Sequence, residues 1–344
     1  MVGKMLTGML GALSHDLAVD LGSANTRIAV PKRGVVCKEP SVVALRYRGD
    51  ERSLVAVGDP AHAMVGRTPR DMDAIYPVRG GVITDFELAE ALLRRLMRLA
   101  TGAYPVVSPR VVVCVPYTMS DVEQRALREA AEAAGARQVH LLDGALAAAL
   151  GAGLPVLRPR GSMIVDLGAG TSRVAVLSMG RVVHQRTIER GGEDLDRAVA
   201  DAVASELGVR IGPASAERLK RELGAALAPR RDADRSAAVR GRCAQTGLPR
   251  AATVPAGLVR QAIAPQLEGI REALRAALEH TPAELAADIA DRGVVLTGGA
   301  ARLAGLDSWL RRQTGLAVVS ADAPDDVAVL GACVALGEPE LLDV

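Results

Sequence analysis

Aromatic side chains are scarce in this chain: one Phe, one Trp and four Tyr among 344 residues. That scarcity removes the stacking platforms on which single-stranded nucleic acids are held. An excess of one charge is missing too, because the formal net charge is only +2. A general nucleic-acid binder concentrates Lys and Arg along a phosphate-facing surface, so no nucleic-acid partner is expected. The four cysteines, Cys37, Cys114, Cys243 and Cys333, form no CxxC or Cys/His cluster. Neither a zinc ribbon nor a disulfide scaffold is indicated, and a reducing cytoplasm suits them. No apolar run is long enough to span a bilayer. Residues 1–13 do place Val2, Met5, Leu6, Met9, Leu10 and Leu13 at helical spacing, but Gly3, Gly8 and Gly11 weaken that helix.

What is present is a core and a repeat. With 49% hydrophobic residues the chain can bury a substantial interior, and its length suits two domains. The segment Val19-Asp20-Leu21-Gly22-Ser23-Ala24-Asn25-Thr26-Arg27-Ile28-Ala29-Val30 returns as Val165-Asp166-Leu167-Gly168-Ala169-Gly170-Thr171-Ser172-Arg173-Val174-Ala175-Val176, with seven positions identical. Each copy reads as a strand ending in Asp, a tight turn of small residues and a second strand. Small residues in such a turn let backbone N–H groups approach an anion, and the Asp can face a hydrated cation bound to that anion. Taken singly, each copy is also ordinary turn punctuation. The copies lie about one domain's length apart, which points to two related halves.

Strands and helices alternate after the first hairpin, the pattern of an α/β sheet covered by helices. Residues 111–116 read as a buried strand. Ser120 and Glu123 form a capping box for a helix that ends near Gly135. A strand from Gln138 to Leu142 leads into the Ala-rich segment 145–150. The halves divide near residues 151–161, where Gly and Pro accumulate. Residues 216–228 read as a helix with Leu219, Leu223 and Leu227 on one face. The Arg-rich stretch 229–252 reads as loop and short strands on a peripheral subdomain. A long helix over 258–278 precedes a strand at Val294–Thr297. That strand delivers Gly298-Gly299-Ala300-Ala301 directly to a helix built on Leu303, Leu306, Trp309 and Leu310, where free N–H groups can meet a phosphate or ribose edge.

These residues together resemble bacterial actin homologues of the MreB and Mbl type. The likeness runs from about residue 16 to 336. It rests on Asp20 to Thr26, Glu39-Pro40-Ser41-Val42-Val43-Ala44, Gly66-Arg67-Thr68-Pro69, Asp85-Phe86, Arg110 to Pro116, Gly151-Ala152-Gly153-Leu154-Pro155, Gly191-Gly192, Arg240-Gly241-Arg242, Thr246-Gly247-Leu248-Pro249 and Thr281 through Gly299. It implies an α/β actin-like ATPase fold of two related halves with ATP in a central cleft. The first half would cover residues 1–154, with subdomain IA and a subdomain IB of about 32–75. The second would cover 155–344, with IIA at about 155–190 and 255–320, IIB at about 191–254, and a C-terminal helix returning to IA. By the same resemblance Gly22, Ser23, Ala24 and Asn25, with Gly168, Ala169, Gly170 and Thr171, cradle the phosphates. Asp20 and Asp166 face Mg²⁺ through water. Glu217, Arg218, Leu219 and Lys220 fall at the adenosine-contacting helix, and Gly298, Gly299, Ala300 and Ala301 at the other adenosine loop.

The chain departs from that family at Asp143-Gly144-Ala145, where relatives carry Glu-Glu-Pro. The second Glu orients the attacking water, and Gly144 has no side chain to do so. Asp143 and Thr171 are the remaining catalytic candidates, and hydrolysis is expected to be weak or absent. Ala169 and Ala300 replace glycines, which requires a negative φ at both. Arg27 and Arg173 are expected on a strand face turned to solvent. The resemblance implies a self-assembling filament at the inner face of the cytoplasmic membrane, working with cell-wall synthesis and shape-determining membrane proteins. Val2–Leu13 and Val106-Val107 are the candidate membrane contacts. Two other readings stay open: an actin-fold phosphotransferase acting on a small substrate, and a degenerate nucleotide-binding adaptor for other filament proteins.

Overall fold

A computed structural model of the chain describes residues 16–102, 107–228 and 235–342. The segment Val2–Leu13 and Val106 therefore lie outside the described residues. The chain divides into two compact units, one comprising residues 1–158, 179–181 and 326–344, the other 159–178 and 182–325.

The first unit is built on a five-stranded sheet. Its strands are β1 (Leu17–Leu21), β2 (Asn25–Val30), β3 (Gly34–Pro40), β4 (Arg110–Val115) and β5 (Gln138–Asp143). They lie in the order β5-β4-β1-β2-β3, with β1 parallel to β4 and antiparallel to β2. Central strands buried on both faces read as continuous apolar runs, as Leu17-Ala18-Val19 and Val111-Val112-Val113 do. Helix α1 (Phe86–Thr101) starts at Asp85, whose carboxylate accepts the Leu88 N–H at 3.2 Å. Its Leu88, Leu92 and Leu96, four residues apart, are buried on one stripe. Helix α2 (Asp121–Ala133) starts with the expected capping box between Ser120 and Glu123. Its chain turns away through Gly135, at φ 117°. Helix α3 (Gly144–Gly151) follows β5 with no intervening loop.

Helix α3 meets the helix Val327–Leu336 backbone to backbone. A Cβ on Gly331 would lie 1.7 Å from the Ala147 carbonyl oxygen, and one on Gly151 would lie 1.9 Å from that of Val327. Only glycine at both positions allows this approach.

The second unit repeats the sheet plan. Strands β6 (Ser162–Leu167), β7 (Ser172–Ser178), β8 (Arg181–Ile188), β9 (Val294–Thr297) and β10 (Val318–Ser320) lie in the order β8-β7-β6-β9-β10. As in the first unit, the strand that opens the repeat is antiparallel to its hairpin partner and parallel to the strand on its other side. Helices α4 (Gly192–Leu207), α5 (Pro213–Leu223), α6 (Ala256–Glu279), α7 (Ala283–Arg292) and α8 (Leu306–Thr314) accompany it. A core containing Leu195, Leu219, Ile263, Leu296 and Leu310 packs among them.

Three expectations change. Helix α5 ends at Leu223, so Leu227 is not on it. Gly224 is extended (φ −66°, ψ 133°) and the chain pairs instead with Ala304 through Ala225 and Ala226. Within 229–252 the described part forms a long hairpin, Ser236–Cys243 with Pro249–Pro255, whose register is continuous over seven pairs. Small and β-branched residues let it run further than the Arg content suggested. The turn after β9 does not lead directly into a helix. It forms a 3₁₀ turn over Gly299–Arg302, and α8 begins only after Gly305, at φ 71°.

The glycine contact sets a test of the fold. Gly331→Ala should cost about 3 kcal/mol, because its methyl meets fixed backbone and no mobile side chain can give way. Ala at Gly212, where a Cβ meets nothing within 4 Å, should change stability by less than about 0.5 kcal/mol. Urea denaturation followed by circular dichroism compares the two, and equal midpoints would show that the helices can part without penalty.

Candidate nucleotide site

In the first unit the candidate loop is the turn Gly22-Ser23-Ala24 between β1 and β2. A Cβ on Gly22 would lie 2.6 Å from the Asn25 carbonyl oxygen, so the turn closes only around glycine. Its carbonyls are taken up by the following strand region. The Ser41 hydroxyl donates to the Gly22 oxygen at 2.6 Å, and the Ser41 N–H donates to the Ala24 oxygen at 2.9 Å. Thr26 and Ser41, both fully buried, share a hydroxyl hydrogen bond of 2.8 Å. The Ser23 hydroxyl accepts the Gly80 N–H at 2.8 Å. Among the described residues, the N–H groups of Ser23 and Ala24 have no backbone acceptor. Oriented donors of this kind, held by a buried scaffold, suit an anion.

At the end of β5, Asp143 caps α3. Its Oδ1 accepts the N–H groups of both Ala145 and Leu146 at 2.9 Å. The side chain thereby satisfies two donors that the first turn leaves open.

The second unit carries the second loop, Gly168-Ala169-Gly170-Thr171, between β6 and β7. The Gly168 N–H closes on the Thr171 oxygen at 2.9 Å. Here the start of α4 does the work that Ser41 does in the first unit. The Gly192 and Glu193 N–H groups donate to the Gly168 and Ala169 oxygens, each at 2.9 Å. A Cβ on Gly191 would lie 2.3 Å from the Ala169 oxygen. Among the described residues, the N–H groups of Ala169 and Gly170 have no acceptor. Ala169 and Ala300 both keep negative φ, as their methyl groups require.

The site residues that the structure draws together meet around Gly192. Its would-be Cβ lies 3.4 Å from Lys220 Nζ, 3.7 Å from the Gly168 oxygen and 3.8 Å from Ala300 Cβ. The second candidate loop, α5 and the turn after β9 therefore converge on one point. Lys220 donates to the Gly192 oxygen and pairs with Asp196, both at 2.9 Å. Burial pushes the Asp196 carboxyl up and the Lys220 ammonium draws it back. Gly298, at φ 83°, lies against β6: a Cβ there would be 2.4 Å from the Leu167 oxygen and 2.7 Å from Asp166 Oδ1. The rest of α5 divides. Leu219 is fully buried in the core, whereas Glu217 and Arg218 pair along the helix with Arg221 and Glu222. Gly191, Gly192, Asp196 and Asp326 were not among the expected site residues. Only the Gly191-Gly192 doublet carried a sequence signal, as one of the segments on which the family resemblance rests.

The expectation that Arg27 and Arg173 face solvent is overturned. Their side chains are only 15% and 16% exposed, and each stands near the aspartate opposite it on the hairpin. Opposite residues of an antiparallel pair share a face, so the aspartate and arginine necessarily lie together.

The MreB/Mbl protein family model matches residues 14–343. The chain is 45% identical over 323 residues to the cell shape-determining protein MreB of Escherichia coli (strain K12), covering 93% of this chain and 92% of that protein. It is 39% identical over 330 residues to the cell shape-determining protein Mbl of Bacillus subtilis (strain 168), with 96% of each covered. Among solved structures it superposes on MreB5 of Spiroplasma citri bound to ADP with a TM-score of 0.88 at 30% identity, covering 96% of this chain and 98% of that one. The MamK double helical filament gives a TM-score of 0.79 at 22% identity, covering 94% and 99%, and shows likeness of fold.

Gly170 offers a clean probe of the second loop. A Cβ there meets nothing within 4 Å and its φ is not positive, so Gly170→Asp adds a carboxylate without strain. Calorimetric titration with ATP should show at least a tenfold loss of affinity with an unchanged melting temperature. Undiminished affinity would remove this loop from the phosphate site.

Proposed function

This chain belongs to the MreB/Mbl family and has the actin-like fold, and from that premise we propose that it is a nucleotide-binding, filament-forming protein that takes part in determining cell shape. The observation that carries the reading is the pair of loops with free N–H groups, each pinned by its carbonyls. One relative bears on it directly in two structures: MreB5 of Spiroplasma citri is described bound to ADP and to AMPPNP. In this reading ATP is the ligand, its phosphates are met by Gly22–Asn25 and Gly168–Thr171, and its adenosine end lies near Glu217–Lys220 and Gly298–Ala301. The convergence around Gly192 supports placing the last two groups at one ligand.

Hydrolysis is a separate matter. Phosphoryl transfer to water needs a group that orients the nucleophile, and Gly144 provides none. Asp143 spends one carboxylate oxygen on the α3 cap, so it is a poor substitute. We therefore propose slow turnover with binding intact. A Mg²⁺ ion brought by ATP would supply charge neutralisation, and Asp20 and Asp166 are the residues of the right chemistry to face it. Both carboxylates already face arginines, so these residues do not by themselves fit the ion.

Self-association into filaments accords with the filament form of MamK, a relative in fold. Head-to-tail contacts that do not close generate such polymers. The inner membrane surface and the wall-synthesis machinery are the proposed setting and partners. No described helix is long and apolar enough to cross a membrane, and Val2–Leu13 and Val106-Val107 are the proposed surface contacts.

Pelleting and phosphate release measured together test the main reading. Filaments should form with ATP and with AMPPNP while phosphate release stays near background, and Gly144→Glu should raise release by about tenfold or more. Absence of pelleting with either nucleotide would overturn the filament reading. Rapid release by the unaltered chain would overturn the role given to Gly144. For the membrane, deletion of residues 2–13 should reduce co-sedimentation with anionic liposomes, and unchanged sedimentation would exclude that segment as the main contact.

A further inference from the structure

Neither phosphate loop needs an arginine to make its turn, yet both carry one in the same place. Asp20 lies directly opposite Arg27 in the β1–β2 register, and Asp166 directly opposite Arg173 in β6–β7. Arg27 Nη1 is 3.9 Å from Asp20 Oδ2, and Arg173 Nη1 is 3.8 Å from Asp166 Oδ2. The two pairs belong to separate units, and both copies of the repeated hairpin keep the same geometry. All four side chains are between 15% and 24% exposed, which leaves little water to screen them.

The arginines are also held in place. Arg27 Nε lies 3.2 Å from Asp326 Oδ1, and Asp326 takes Lys38 on its other oxygen. Lys38 is the cross-strand neighbour of Arg27 in the β2–β3 register. Asp326 itself is buried, so this cation–anion chain is part of the packed structure. Among the described residues no group of three or more His, Cys, Asp or Glu side chains is placed to hold a metal. At each loop the aspartate that would face a cation already has a guanidinium within 4 Å.

A guanidinium stays charged at every accessible pH, and its positive charge within 4 Å opposes a second cation on the same carboxylate. The same guanidinium attracts a polyphosphate bound at the adjoining loop. We propose that Arg27 and Arg173 are resident counter-ions of the two phosphate loops, doing for Asp20, Asp166 and a bound nucleoside triphosphate what a hydrated Mg²⁺ would otherwise do. Nucleotide binding by this chain is then nearly indifferent to Mg²⁺. The inference rests on the nucleotide reading above and deepens it.

Calorimetric titration of the full chain with ATP, in excess Mg²⁺ and again in EDTA, tests it. The unaltered chain should change affinity by less than about threefold between the two conditions. Arg173→Gln, and Arg27→Gln combined with it, should bind at least about tenfold more weakly in EDTA than in Mg²⁺, while Arg173→Lys should keep the indifference. A loss of threefold or more by the unaltered chain in EDTA overturns the proposal, as does indifference that persists in the Gln variants. If Arg27→Gln does not fold because Asp326 loses a partner, Arg173→Gln alone carries the test. No ATP binding in either condition overturns the nucleotide reading and this proposal with it, whereas Mg²⁺-dependent binding overturns this proposal alone.

Discussion

The backbone contact between α3 and the helix Val327–Leu336 fixes both ends of the chemistry in the first unit. Gly151 and Gly331 bring two apolar helices closer than any side chain permits. From that crossing, α3 runs back to Asp143 and Gly144, at the mouth of β5. The other helix runs back to Asp326, which receives Arg27 from β2 and Lys38 from β3. A methyl inserted at the crossing would have to move one helix, and with it either the β5 exit or the anchor of the Arg27 network. Buried charges tolerate such movement poorly, since a separated partner leaves an uncompensated ion.

The two halves reach similar loops by different means. In the first, a side-chain hydroxyl, Ser41, grips the turn's carbonyl and is itself locked by Thr26. In the second, backbone donors at the start of α4 do this, with Gly191 and Gly192 allowing the approach. The second arrangement couples the candidate loop directly to a helix, and through Lys220 and Asp196 to α5. A ligand that orders the second loop therefore bears on more secondary structure than one that orders the first. The repeated sequence conceals this asymmetry, because the supporting residues lie outside it.

Much of the plan was legible because it is local. The duplicated Asp-x-Gly hairpins, the Ser120 and Glu123 capping box and the long apolar stripe of α6 are all written within a turn or two of chain. What failed was set by tertiary partners. Leu227 continues the spacing of Leu219 and Leu223, yet Gly224 and the pairing of Ala225 with Ala304 end the helix first. Arg27 and Arg173 looked solvent-facing because strand alternation gives the face a residue shares and says nothing of what covers it. In the first unit that cover includes Asp326, some 300 residues along the chain. The role of Asp143 was obscured for the same reason: as a lone acid after a strand it reads as a candidate base, and only the geometry of α3 shows it capping.

On the proposed reading, these details separate holding a nucleotide from consuming it. Everything concerned with holding is kept in strict form: Gly22 and Gly168 close their turns, Ala169 replaces glycine without a positive φ, and each loop's carbonyls are engaged. On the same reading, the position that would orient water has no side chain at Gly144, while its neighbour Asp143 caps a helix. Electrostatic support for holding is kept on the proposed reading, since a fixed guanidinium steadies bound phosphates. Hydrolysis depends on groups aimed at the water and at the charge that develops in the transition state, whereas affinity needs only groups that suit the ground state. On the proposed reading, a filament built on such a site would be governed by nucleotide occupancy, and its lifetime set by dissociation rather than by an internal chemical clock.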